Sequence, residues 1–131
     1  FWPEAADAMG GMLVMSNHDP VNTIPAGGIA TVQNKTFIHP ESPSATSARA
    51  NSLVLRLGGF GRNEVATADV TGLTGHTNIW ARNVSANLSA GWGYTLLPAA
   101  GPAGANTFVL ASASSYATIT VVISPQVQVG P

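Results

Sequence analysis

Apolar residues along most of this chain come singly or in short alternating runs, and Gly, Pro, Asn, Ser or Thr breaks every run. Period-two spacing with frequent turn residues predicts strands rather than helices, in the manner of a sandwich or barrel. The predicted strands are Met12–Met15, Val21–Ile24, Ile29–Ile38, Ser52–Leu57, Glu64–Val70, Thr77–Leu88, Tyr94–Leu97, Thr107–Ala111 and part of Tyr116–Val129. The intervening stretches, including His39–Asn51, Gly58–Asn63, Ser89–Gly93 and Pro98–Asn106, read as turns and loops.

Two segments carry a clear face. In Leu53-Val54-Leu55-Arg56-Leu57 the leucines fall on alternate positions, which places Leu53, Leu55 and Leu57 in the core and points Arg56 outward. In the C-terminal segment Ala117, Ile119, Val121, Ile123, Val127 and Val129 share odd positions, opposite Thr118, Thr120, Gln126 and Gln128. The odd set is therefore expected inside. Pro125 cannot donate to a ladder, so Gln126–Val129 reads either as a terminal strand of its own sheet or as a tail that adds to a neighbour's sheet edge.

The first residues differ in kind. Pro3–Met9 holds helix formers behind a proline, with Glu4 and Asp7 early and Gly10-Gly11 as a stop, so one or two helical turns are expected in an arm over residues 1–11. Phe1 and Trp2 give that arm two large apolar side chains, which either pack on the chain's own sandwich or dock on another subunit. The start at Phe1 rather than Met fits a removed leader or a start inside a longer product. Residues 12–131 read as one β-sandwich domain, since 131 residues suffice for one continuous core.

Charge changes the picture more than length does. Only 8% of the residues are Asp, Glu, Lys or Arg, with Lys35 the single lysine, against about 25% in a typical soluble domain. Surface that rests against a neighbouring subunit sheds charge, so the composition predicts a chain that lives assembled. The five basic residues are scattered, which argues against a nucleic-acid partner. No run approaches the roughly 18 apolar residues of a spanning helix, so no membrane insertion is expected. Cysteine is absent, which excludes disulfides and thiolate zinc sites.

Catalytic chemistry is thinly supplied. His18, His39 and His76 lie in expected loops with no metal-ligand spacing, and Gly58–Asn63 lacks the third glycine of a dinucleotide loop. No enzyme, cofactor or metal is expected. Three sequons, at Asn34, Asn83 and Asn87, permit glycosylation in an exported setting. Trp80, Trp92 and Tyr94, beside Asn78, Arg82 and Asn83, are the candidates for a carbohydrate-binding platform, with core or interface packing as their other role.

These readings converge on an all-β fold, a single antiparallel β-sandwich of immunoglobulin-like or jelly-roll-like kind, with a short N-terminal arm and an extended C-terminal strand. The expected function is structural: a subunit of a repeating exterior assembly on a virion surface or in an extracellular filament or layer. Its partners would be copies of itself or another shell protein, with Phe1, Trp2, Val127 and Val129 as contact residues. The alternative is a carbohydrate-binding module.

Overall fold

Alternation does produce strands, and it produces them in antiparallel register throughout. A computed structural model of the protein describes residues 10–61, 71–85 and 87–127, the side chains of 34–37, 84 and 85 excepted. Five long strands, β1 (Ile29–Phe37), β4 (Ser52–Phe60), β5 (Thr77–Ser85), β6 (Leu88–Leu97) and β9 (Ser114–Ile123), form one sheet in the order β1-β9-β4-β6-β5. Four two-residue strands complete the set: β2 (Glu41–Ser42) pairs with β8 (Asn106–Thr107), and β3 (Thr46–Ser47) with β7 (Gly101–Pro102). The described residues contain no helix.

These short ladders lie across one face of the large sheet, where β2 packs on β9, β4 and β1, and β3 on β9. They bring together the two stretches read as loops, His39–Asn51 and Pro98–Asn106, and Ala103 N–H donates to the Ala45 carbonyl between them. Among the described residues the second layer is this loop layer rather than a second continuous sheet. Under it lie two apolar clusters. One holds Phe60, Leu73, Ala81, Phe108, Leu110 and Tyr116; the other is centred on Val54, Val122 and Ala45. Phe60 and Phe108 meet edge to face at 5.3 Å, and burying each such side chain contributes about 1.5–3 kcal/mol.

Glycines decide where strands run beyond their predicted ends. Gly58 lies inside β4 and Gly91 and Gly93 inside β6, although all three stand in stretches expected to turn. The loop layer needs them: a β-carbon on Gly91 would come 3.0 Å from Thr71, one on Gly93 3.0 Å from Leu73, and one on Gly58 2.6 Å from Phe60 and 3.1 Å from Phe108. They remain extended but carry no side chain, which lets backbone and loop approach closely.

Other boundaries also move. Val21–Ile24 is a bend rather than a strand, tied down by Asp19, and Met12–Met15 joins no ladder. Of Thr107–Ala111 only Thr107 lies in a strand, β8. The strand expected at Glu64–Val70 and the helical turn at Pro3–Met9 lie outside the described residues. In β5 the register shifts between Asn78 and Trp80, a bulge that brings Ile79 and Trp80 to the same side as Thr77 and returns Ala81 to the core side.

Candidate interaction surface

The faces of the sheet are assigned oppositely to the expectation from alternation. Val54, Arg56, Phe60, Tyr116, Thr118, Thr120 and Val122 are buried beneath the loop layer, whereas Ile119 is 41% exposed on the other side. Arg56, expected to point outward, is 1% exposed and is the largest of the fully buried side chains. Of the residues expected inside, Leu55 and Ile123 are buried and Leu53, Leu57 and Val121 half-buried, all on the side away from the loops.

The guanidinium explains the inversion. Arg56 stands opposite Thr120 on one neighbouring strand and Gly93 on the other, so the long side chain has room to lie against the sheet. Its Nη1 donates to the Ser42 carbonyl at 3.0 Å and the Pro43 carbonyl at 3.2 Å, and its Nη2 to the Gly104 carbonyl at 2.6 Å. Nη1 also reaches the Thr120 hydroxyl at 3.3 Å, which shares a 2.8 Å hydrogen bond with Ser42 Oγ. A buried cation is tolerable only when its donors are satisfied, and here carbonyls and hydroxyls from both loops satisfy them. Thr118 and Thr120 face inward because that side is where acceptors are needed; Thr118 donates to the Glu41 carbonyl.

Arg56 Nε donates to Nε2 of His76 at 2.9 Å, and His76 Nδ1 stands 2.8 Å from the Thr74 carbonyl. An imidazole that accepts at Nε2 must be neutral and carry its proton on Nδ1. Burial holds the His76 pKa below its ordinary value; the Thr74 carbonyl works against that shift and the Arg56 charge adds to it. Asp19 anchors the bend that follows it. Its carboxylate accepts from the backbone N–H groups of Asn22 and Val21, which hold its pKa below the ordinary carboxylate range, and Arg49 lies 2.8 Å away.

The face away from the loops is apolar and partly bare. Ile29 is 53% exposed, Leu96 63% and Tyr94 36%, with Val121, Leu57, Trp92 and Trp80 half-buried beside them. Among the described side chains of this face, only Arg82 on edge strand β5 carries charge. Residues 11–15 lie along part of it as a strap. Leu13 and Met15 line a small cavity with Leu53, Ile79 and Tyr94, and Gly11 lies so close to the Trp92 ring that a β-carbon there would collide with it. Met12 and Val14 point away and are 88% and 83% exposed. The base of the strap is fixed where His18 bridges Pro125 and Gln126 N–H donates to the Asn17 carbonyl.

The candidate residues distribute unevenly. Trp80 and Trp92 stack on each other with ring centroids 4.8 Å apart and a 35° tilt, and Tyr94 lies on the same face one row away. Trp92, although flanked by Gly91 and Gly93, is half-buried between Trp80 and the strap. Val127 is 53% exposed at the end of a tail whose Pro125 and Gln126 pair with the strap base. Phe1, Trp2 and Val129 lie outside the described residues. The sequence reading did not single out Ile29, Leu57, Ile119 and Val121 as a surface; the signal was present in the apolar odd positions of β9 but was assigned to the core. Among the described residues no group of three or more His, Asp or Glu side chains is placed to hold a metal ion. No family model, curated protein or solved structure matches this chain.

Proposed function

We propose that this protein is a structural subunit of a repeating exterior assembly, a coat or decorating protein of a virion or a unit of an extracellular filament or layer. The observation that carries the reading is the apolar, partly bare sheet face bearing Ile29, Ile119 and Leu96, where Arg82 is the one charge among the described side chains. Contiguous apolar surface of this kind marks an interaction site in soluble proteins. A chain with 8% charged residues has little else to keep such a face apart from its neighbours. The same side carries the strap, whose outward Met12 and Val14 extend the apolar surface.

The test is the state of the purified full chain from micromolar to millimolar concentration, followed by sedimentation velocity and negative-stain electron microscopy. Rings, fibres, sheets or particles are the expected result. A monomer at every concentration that is retained on a polysaccharide column overturns the reading in favour of a carbohydrate-binding module built on Trp80, Trp92 and Tyr94.

A further inference from the structure

The bare face is not uniform, and its relief has a simple form. Strand register places Thr31, Ile119, Leu57, Trp92 and Trp80 in one row across the sheet. The next row on the same face is Gln33, Ala117, Gly59, Ala90 and Arg82. The first row holds large apolar side chains at its centre; the second holds Ala, Gly and Ala at the same places. A ridge thus runs beside a trough, about 7 Å away by strand geometry, open at Ile119, Leu57, Ala117 and Gly59 and closed towards Trp92, which lies under the strap, and Ala90, which is buried. The trough opens at its end into a groove of about 680 Å³ whose lining includes Gln33, Gly59, Leu88 and Ala117 of this face together with Phe60 and Tyr116. A β-carbon on Gly59 would meet nothing within 4 Å.

We infer that this face pairs with the same face of a second copy, the ridge of each lying in the trough of the other. A two-fold contact brings one patch against itself, so a surface that carries both a ridge and a matching trough is complementary to its own image when the axis passes between the rows. The facing sheets then stack as in a sandwich, about 10 Å apart, with the second sheet supplied by the partner. Charge is compatible, because only Arg82, on edge strand β5, is ionic among the described side chains of the face. Five strands of nine or ten residues span roughly 24 Å by 30 Å, about 700 Å² in projection; the strap takes part of this and its outward Met12 and Val14 return some, which leaves less than the ~800 Å² per partner of a standard interface and suits a weak, concentration-dependent dimer. This inference rests on the structural-subunit reading and names its first contact.

The experiment compares the wild-type chain with Ile119→Lys, Ala117→Trp and, as a control in an exposed loop on the opposite side, Ala99→Lys. Sedimentation velocity gives the association constant, and near-ultraviolet circular dichroism monitors the Trp80–Trp92 pair. Residues 117 and 119 are exposed, so Ile119→Lys keeps the native near-ultraviolet spectrum, and Ala117→Trp, whose added indole contributes to that spectrum, keeps the wild-type far-ultraviolet one. The expected result is a wild-type and Ala99→Lys dimer, alone or within larger assemblies, with each face variant weakened roughly thirtyfold or more. Equal association of all four proteins overturns the pairing and leaves the structural-subunit reading standing on other contacts. A dimer that dissociates in the face variants but builds nothing larger supports the pairing and counts against the repeating assembly. A wild-type monomer overturns the pairing outright. So does a nuclear Overhauser contact, in an isotope-mixed sample, from the rings of Phe1 or Trp2 to Ala117 of the same chain, because the arm then fills the trough.

Discussion

Gly58 and Gly59 are neighbours in β4, yet they meet opposite worlds. A β-carbon on Gly58 would press into Phe60 and Phe108; one on Gly59 would enter open space. The same contrast holds across the whole sheet. One side is polar at its centre and sealed, with Arg56, Thr118 and Thr120 under paired loops; the other is apolar and only partly strapped. Burial here follows the demands of one charged group. Once the guanidinium is inside, period-two geometry carries Thr118 and Thr120 in with it and turns Ile119 and Val121 out.

The sharpest way to break the sealed side is to remove its hub. Arg56→Leu leaves the Ser42, Pro43 and Gly104 carbonyls without their buried donor, and loss of one partner from a buried charged network costs about 3–5 kcal/mol. Urea unfolding should register that loss; an unchanged midpoint would show that water replaces the guanidinium and that the loops hold without it. Next in size is the glycine pair. Gly58→Ala overpacks the aromatic cluster and is expected to cost about 1–3 kcal/mol, whereas Gly59→Ala should stay within about 0.5 kcal/mol of wild type. Equal penalties in thermal unfolding would erase the distinction between the faces.

The smallest expected effect is a pH dependence confined to the sealed side. The native His76 imidazole has a lowered pKa, so as pH falls through the ordinary histidine value of about 6.5 the unfolded chain takes up the extra proton first. Stability is therefore full above that value and declines as pH drops through the lower native pKa. Protonation also replaces the Nε2 acceptor of Arg56 with a second positive donor. His76→Gln, whose amide oxygen can accept from Arg56, should flatten the decline in melting temperature between pH 7.5 and 5, and an identical slope in both proteins would remove His76 from the account. Asp19, with its lowered carboxyl pKa, adds its own loss only at more acid pH.

The sequence announced strands and their antiparallel pairing plainly, because alternation and turn residues are local signals. β1, the start of β4, most of β5 and most of β9 all fall where alternation placed them. Which face is inward was not legible for Leu53–Leu57 or Thr118–Ile123, since local alternation fixes that two sides differ, not which of them a distant loop will cover. The cover comes from His39–Asn51 and Pro98–Asn106, whose pairing joins residues far apart in the chain. Gly58, Gly91 and Gly93 misled for a related reason: a glycine that admits a close loop looks, in sequence, like one that makes a turn. Pro98–Asn106 reads in sequence as a loop, and its Ala103 packs on the Val54–Val122 cluster of its own chain.

One further property follows from the position of β9. It lies between β1 and β4, and the two have no other link within the large sheet. During synthesis β9 leaves the ribosome after the other described strands, so until then β1 stands apart from the β4-β6-β5 unit. Long-range closure of this kind is slow compared with local hairpin formation. A chain cut short before Ser114 lacks Ile119, Val121 and Thr120 at once, and with them both the exposed row and a partner of the buried guanidinium. Synthesis of β9 is thereby built into the fold as a condition for presenting a finished surface.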